Sequence, residues 1–94
     1  MGLLFEWDPE KARANKVKHG ITFDEASTAF EDGLSVTIPD PLHSVDEERF
    51  VLIGYSCLGR LLVVVHTDRG DRVRIISARP ATRKERRFHE ENEE

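Results

Sequence analysis

Residues 60–80 read RLLVVVHTDRGDRVRIISARP, and this stretch decides the fold. Two apolar runs rich in β-branched residues, 61–65 and 73–76, flank DRGD, a sequence typical of a hairpin turn. A third apolar run, Phe50–Tyr55, comes before them and is joined to them by CLGR, which suits a second tight turn. The three runs predict an antiparallel meander of strands, which Pro80 ends.

The sequence outside this meander predicts two more strands and three helices. Leu3–Trp7 is a short apolar strand, and Leu34–Ile38 alternates as a half-buried strand does. Two helices lie between these strands and a third follows the meander, which gives the order β-α-α-β-β-β-β-α. We therefore expect an α+β fold, a small antiparallel sheet with two N-terminal helices and one C-terminal helix.

Each predicted helix begins with a capping signal. Asp8 is the N-cap of the first helix, Pro9 follows it at the first helical position, and Gly20 is suited to the end. The second and third helices begin with the capping boxes Thr22–Glu25 and Thr82–Glu85. These signals fix the helix starts without reference to any other part of the chain.

Length and composition are typical of a small globular protein. The 94 residues are 38% hydrophobic and 34% charged, so a single domain over residues 1–94 is expected. The chain has no apolar run of the ~20 residues needed to cross a bilayer. Its N-terminal segment lacks the basic start of a secretory signal, and Cys57 is its one cysteine. These features predict a cytoplasmic protein without membrane contact or internal disulfides.

The histidines do not form a metal-binding pattern. None of the four lies four residues from another, and neither CxxC nor HExxH occurs in the chain. We therefore expect no metal site and no cofactor.

Positive charge is concentrated in one part of this acidic chain. The formal net charge is -4, yet residues 60–87 hold nine Arg or Lys against three Asp or Glu. Because side chains alternate along a strand, we expect one face to carry Arg72, Arg74, Ile76 and Ala78, and the other Val73, Ile75, Ser77 and Arg79. Part of this charge should border an open sheet surface, with His66 beside Arg74 if the strand register allows it.

This charge pattern fits the metal-free cleavage of RNA. Guanidinium groups bind phosphate through paired N–H donors and stay charged at any working pH. Histidine transfers protons near neutral pH, which activates the ribose 2′-hydroxyl or protonates the leaving 5′ oxygen. The residues expected to act in catalysis are Arg74, Arg79, Arg60 and His66, and those expected to bind RNA are Lys18, His19, Arg72 and Arg83.

Structural roles remain open for the same side chains. The strand arginines could pair with carboxylates, for example those of the acidic segment 46–48. His66 on its apolar strand could be a buried structural histidine, and His19 could complement the carbonyl end of the first helix. Trp7 is more typical of a core residue than of a base-stacking one, and the cations of the last helix could face solvent. No function is predicted for the remaining histidines, His43 and His89.

Five motifs give the chain a resemblance to a known family: W-D-x-x-K, K-H-G-I-x-F, G-R-L-L-V-V-V, R-I-I-S-A-R and A-T-x-x-E-R. Together they span about Phe5 to Glu90, and the chain closely resembles the BrnT family of type II toxin-antitoxin toxins. The resemblance implies a RelE-like fold and a ribonuclease that stops translation. It also implies a cognate antitoxin, BrnA, whose ribbon-helix-helix domain binds the operator DNA, so that the complex represses its own operon.

One position departs from the family pattern, and one alternative function stays open. Phe88 lies in the last helix where many relatives have Tyr, and a phenyl ring cannot transfer a proton. We expect Phe88 to pack against the sheet, where the hydroxyl is not needed. The alternative function is a non-catalytic module that binds nucleic acid and the antitoxin as a co-repressor. It requires the arginines but not His66.

Overall fold

The computed structural model describes residues 2–40 and 47–92. The predicted α+β class and the order β-α-α-β-β-β-β-α are confirmed, and a single 3-10 turn, Ala29–Glu31, follows the second helix. His43 and Asp46 lie outside the described residues. In chain order the elements are β1 (Leu4–Glu6), α1 (Pro9–His19), α2 (Phe23–Thr28), β2 (Val36–Pro39), β3 (Arg49–Tyr55), β4 (Leu61–Arg69), β5 (Arg72–Pro80) and α3 (Arg83–Glu91).

The five strands form one sheet in the order β1-β5-β4-β3-β2. The predicted meander of β3, β4 and β5 is antiparallel, and β2 pairs antiparallel with β3. However, β1 lies parallel to β5, with Phe5 opposite Val73, so the sheet is mixed rather than wholly antiparallel. A parallel pair requires a long connection, and the whole chain between β1 and β5 supplies it.

The helices begin where the capping signals predict. Asp8 accepts a hydrogen bond from the backbone N–H of Glu10, and the Thr82–Glu85 capping box is complete. The Thr22–Glu25 box is only half formed: Thr22 accepts from the N–H of Glu25, but the Glu25 carboxylate turns away toward Arg60. Within the described ranges, no helix has the length and apolar character needed to cross a membrane.

One face of the sheet, here called the helical face, packs against α1 and α2. Its core joins helix and strand side chains that are almost fully buried, including Phe23, Ile21, Leu62, Val64 and Ile75. Trp7 packs against this cluster, with its ring 5.8 Å from that of Phe23, which confirms its expected core position. Burying several large side chains in this way removes most of their apolar surface from water and stabilises this half of the fold.

A β-bulge in β5 changes which side chains share a face. Val65 lies opposite Ser77, but the next residue of β4, His66, lies opposite Ile75, so Ile76 is the extra residue. Strict alternation therefore fails at Ile76. Ala78 joins Val73 and Ile75 on the helical face, and Ser77 and Arg79 join Arg72 and Arg74 on the opposite face. We call that opposite face the arginine face.

Asn15 attaches α1 to the part of β5 that β1 does not reach. Its side-chain amide donates to the carbonyl oxygen of Ala78 at 2.8 Å and accepts from the N–H of Ala78 at 3.0 Å. It also donates to the carbonyl oxygen of Ile21 at 2.9 Å. One buried side chain thus replaces the backbone partner that a neighbouring strand would provide.

Candidate functional site

The arginine face holds a cleft of about 500 Å³ between the sheet and α3. Its floor is formed by apolar side chains of three strands, Ile38, Val51, Ile53, Val63 and Val65. Its charged rim consists of Arg79 from β5, Lys84 and Glu85 from α3, and Asp40, which follows β2. Phe88 packs against the buried cluster of Ile53 and Val63, which confirms that this ring faces the sheet. The site is therefore an apolar trough with a charged edge.

Arg79 stands on the cleft rim in a bidentate ion pair with Glu85. The two N–H···O distances are 2.8 and 2.7 Å, and Glu85 also accepts from the N–H of Thr82. The hydrogen bonds from Arg79 are the main reason that the pKa of Glu85 is lowered to about 2. The carboxylate in turn raises the pKa of Arg79. Both groups therefore stay charged near neutral pH, and the pair fixes the start of α3 against β5.

The Glu85 pair gives a pH-dependent contribution to stability that Glu85→Gln should remove. A group whose pKa falls from 4.5 to about 2 on folding stabilises the protein above pH 4.5. That contribution is lost as the pH drops toward the lower value. We expect the urea midpoint of the wild type to exceed that of Glu85→Gln above pH 4.5, and the difference to disappear near pH 2.

A matched control for Glu85→Gln is Glu10→Gln. Glu10 lies 3.8 Å from Arg13 in an ion pair that is almost fully exposed, so it should change the urea midpoint little at any pH. A difference between wild type and Glu85→Gln that stays constant across the acid range would contradict the assignment to the Arg79 pair.

Arg74 lies on the same face as Arg79, farther along β5. Its Nη1 donates to the carboxylate of Glu6 in β1 at 2.9 Å, and both side chains remain 30% exposed. Arg74 lies opposite Thr67 and Arg79 opposite Val63, a separation of about 13 Å at the usual rise of a strand. Arg72 is exposed at the start of β5, and Arg83 is exposed at the start of α3. Three predicted site residues, Arg72, Arg74 and Arg79, therefore lie along β5 on the arginine face, and we call them the arginine line.

Arg60 lies elsewhere, at the turn before β4. Its guanidinium forms two hydrogen bonds with Glu25 of α2, and Ser56 donates to the same carboxylate at 2.7 Å. The bonds from Arg60 are the main cause of the lowered pKa of Glu25, which is itself almost buried. The structure thus uses Arg60 to neutralise a buried carboxylate on the helical side.

His66 is buried on the helical face and does not lie beside Arg74. It is 5% exposed, with ring centroids of Phe30 and Phe50 at 4.8 and 5.8 Å. Burial lowers its pKa. The register places His66 opposite Ile75, so the condition for a joint site with Arg74 is not met. Its surroundings are those of a structural core histidine.

Lys18 and His19 reach β5 from its open edge. They line a cleft of about 210 Å³ with Lys11 and Asn15 of α1, and with Ile76 and Ser77 at the bulge. Ser77 belongs to the arginine face, between the positions of Arg74 and Arg79. These two predicted RNA-binding residues at the end of α1 therefore approach β5 between the positions of Arg74 and Arg79. Sequence reasoning missed Lys11 and Ser77, although the helical spacing of Lys11, Asn15 and Lys18 was readable.

Other polar clusters lie away from this edge. His89 is fully buried, 3.8 Å from Asp32, and its ring packs against Tyr55. The acidic segment interacts through Glu47, which lies 3.7 and 3.8 Å from Arg49 and Arg69. Arg74 and Arg79 of β5 pair with Glu6 and Glu85 instead. Across residues 2–40 and 47–92, no group of three or more His, Cys, Asp or Glu could hold a metal ion.

Comparisons with known proteins agree with this fold. A family model described as "Ribonuclease toxin, BrnT, of type II toxin-antitoxin system" matches residues 7–85. The chain is also similar to the Brucella abortus ribonuclease toxin, BrnT, solved by crystallography at 1.1 Å resolution, with a TM-score of 0.66 and 27% sequence identity. That similarity covers 88% of this chain and 99% of the other. A comparison with curated proteins gave no match. Because the family match spans most of its length, the chain belongs to the BrnT family of ribonuclease toxins of type II toxin-antitoxin systems.

Proposed function

We propose that this chain is an endoribonuclease that cuts RNA without a metal ion and thereby inhibits translation. In this proposal residues 1–94 act as one toxin domain. The main support for this proposal is the bulge at Ile76. The bulge leaves Arg72, Arg74 and Arg79 on the face of the sheet that holds the apolar cleft. A single strand of RNA could lay its phosphates along β5 while its bases contact Phe88 and the cleft floor.

The proposed reaction is attack of a ribose 2′-hydroxyl on the adjacent phosphorus. Negative charge builds up on the phosphoryl oxygens in the transition state, and fixed cations at that place lower the barrier. Arg74 and Arg79 are the groups proposed for this role, since both are partly exposed on one strand face. Arg60 and His66 stand on the helical side of the sheet, so the proposal gives them no contact with the phosphate.

The ion pairs of these arginines are compatible with phosphate binding. A guanidinium has five N–H donors, so Arg79 can hold Glu85 through two of them and still donate to a phosphate oxygen. The carboxylates fix the orientation of each guanidinium before RNA arrives, which lowers the entropy lost on binding. Glu6 has the same relation to Arg74.

For the partner, we propose a BrnA-like antitoxin with a ribbon-helix-helix domain that covers the arginine face. The apolar floor suits a segment that carries apolar side chains, and the rim, with Arg79 and Lys84 beside Asp40 and Glu85, suits polar side chains at the margin of that segment. The toxin would then reach operator DNA only through the antitoxin. Covering the cleft would also block RNA, which is the simplest way to neutralise the toxin.

A second candidate function is a non-catalytic co-repressor that binds nucleic acid. The observation in its favour is that Arg60, Arg74 and Arg79 each form an ion pair with a carboxylate, as purely structural arginines do. A co-repressor would bind RNA in a salt-dependent manner and release no product.

Incubation with RNA in the presence of EDTA separates these two functions. Purified protein and a long single-stranded RNA are incubated in EDTA and, in parallel, in Mg²⁺, and fragments are resolved by gel electrophoresis. The ribonuclease proposal predicts the same fragments at comparable rates in both buffers. Binding without fragments in either buffer would favour the co-repressor, and fragments only with Mg²⁺ would contradict a metal-free reaction.

A further inference from the structure

We propose that His19 is the catalytic residue that takes the proton of the attacking 2′-hydroxyl, in the small cleft at the open edge of β5. The inference rests on the proposed ribonuclease function and gives it a proton acceptor. In this proposal the small cleft at the open edge of β5 binds the ribose and the phosphate on either side of the bond that is cut. The large apolar cleft would then hold the neighbouring bases.

The folding of α1 explains why His19 points at β5. Lys11, Asn15, Lys18 and His19 follow the spacing of one helix face, and Asn15 holds that face against Ala78 with two hydrogen bonds. His19 is the last residue of α1, and Gly20 then leaves the helix in a left-handed conformation with φ of 74°. The imidazole is therefore held by a rigid element rather than by a loop.

Exposure separates His19 from the other histidines of the described residues. His66 is 5% exposed and packs between Phe30 and Phe50, and His89 is 0% exposed with its ring against Tyr55. His19 is partly exposed and lines a cleft that opens to solvent. Among the histidines that the structure describes, only His19 can meet a polymer that stays outside the core.

The position of the cleft connects His19 to the arginine line. The cleft is formed on the strand side by Ile76 and Ser77, and Ser77 lies on β5 between Arg74 and Arg79. The charged groups that line the cleft with His19 are Lys11 and Lys18 of α1, and β5 adds the hydroxyl of Ser77. A phosphate at this point would have guanidinium groups on both sides along the strand and ammonium groups above it.

In the proposed step His19 acts as the general base while one bond at phosphorus replaces another. The imidazole nitrogen of His19 accepts the 2′-hydroxyl proton while the 2′ oxygen forms a bond to phosphorus. The bond from phosphorus to the 5′ oxygen breaks, and its electron pair leaves with that oxygen, which takes a proton from water. The products are a 2′,3′-cyclic phosphate and a 5′-hydroxyl, and His19 returns its proton to the solvent.

The test compares the wild type with His19→Gln in three measurements: RNA affinity, cleavage rate and the dependence of that rate on pH. We expect His19→Gln to keep its circular dichroism spectrum and its RNA affinity but to cleave about 10²-fold more slowly or worse. The wild-type rate should rise with pH along a limb that His19→Gln lacks. Added imidazole should restore part of the rate of His19→Ala, because the smaller side chain leaves room for it.

Val17→Ala changes a side chain of α1 that is 85% exposed, and it should cleave like the wild type. Cleavage by His19→Gln at the wild-type rate, or with the same pH limb, would overturn the role of His19 and leave the ribonuclease proposal intact. A wild type that binds RNA without cutting it would overturn both.

Discussion

Under the proposed function, Arg74→Ala should cleave RNA about 10²-fold more slowly than the wild type, because it removes a fixed cation from the proposed path of the phosphates. Arg74 is partly exposed on the arginine face, and its ion pair with Glu6 holds the guanidinium toward the neighbouring strand β1. The cleavage rate of Arg74→Ala should fall both at saturating RNA and at low RNA. In the proposed reaction Arg74 stabilises the negative charge on the phosphoryl oxygens, and that charge is largest in the transition state.

Glu6→Gln is the matched control for Arg74→Ala. It breaks the same ion pair but keeps the guanidinium, so any effect of the lost pair on folding is common to both variants. We expect Glu6→Gln to cleave far faster than Arg74→Ala and only modestly more slowly than the wild type, because the guanidinium remains and only the carboxylate that orients it is lost. Equal losses in the two variants would show that Arg74 has only a structural role.

Asn15→Ala should cause the largest loss of stability of any single substitution considered. It leaves the N–H and carbonyl of Ala78 and the carbonyl of Ile21 without their hydrogen-bond partner in a buried place. Each buried unsatisfied group costs about 1–3 kcal/mol, so the free energy of unfolding should fall by about 3 kcal/mol or more. The total free energy of unfolding of a small domain is about 5–15 kcal/mol, so this single substitution would remove a large part of it.

Urea denaturation monitored by the fluorescence of Trp7 measures this loss. Trp7 packs against Phe23 in the core, so its signal reports the helical face directly. Val17→Ala, on the exposed side of the same helix, should stay within about 0.5 kcal/mol of the wild type. An Asn15→Ala protein within about 1 kcal/mol of the wild type would mean that α1 does not depend on this link to β5.

The elements were predictable because their signals are local. Capping by Asp8 and Thr82, the turn at DRGD and the apolar runs each involve a few consecutive residues, and each was read correctly. The partner of β1 was not predictable in the same way. A strand pattern shows which residues extend and which face is apolar, but the strand it pairs with depends on the packing of the whole chain.

The bulge at Ile76 shows how a local irregularity changes the site. The run from Arg72 to Arg79 alternates well enough to suggest two faces, and the sequence carries no glycine to mark an extra residue. The inserted residue nevertheless moves Arg79 to the same face as Arg74. Two arginines that the pattern separated therefore belong to one surface.

The histidines were harder to rank from sequence than the arginines. His66 lies on an apolar strand, and the two aromatic rings that contact it, those of Phe30 and Phe50, come from distant parts of the chain. His89 is buried through contacts with Asp32 and Tyr55 that no spacing rule reveals. His19 was partly readable, because its spacing from Asn15 put both on one helix face. Contacts with residues distant in sequence bury His66 and His89, and this is the physical reason that their positions could not be predicted.

The most direct test of the central claim is the chemistry of the RNA ends in EDTA. The first cut site is mapped on a defined RNA, which is then remade with one 2′-deoxy nucleotide on the 5′ side of the cut. The account predicts 2′,3′-cyclic phosphate and 5′-hydroxyl ends on the original RNA, and no cut at that site in the deoxy RNA. Cleavage of the deoxy RNA at the same site, or fragments with 5′-phosphate ends, would contradict attack by the 2′-hydroxyl and with it the proposed reaction.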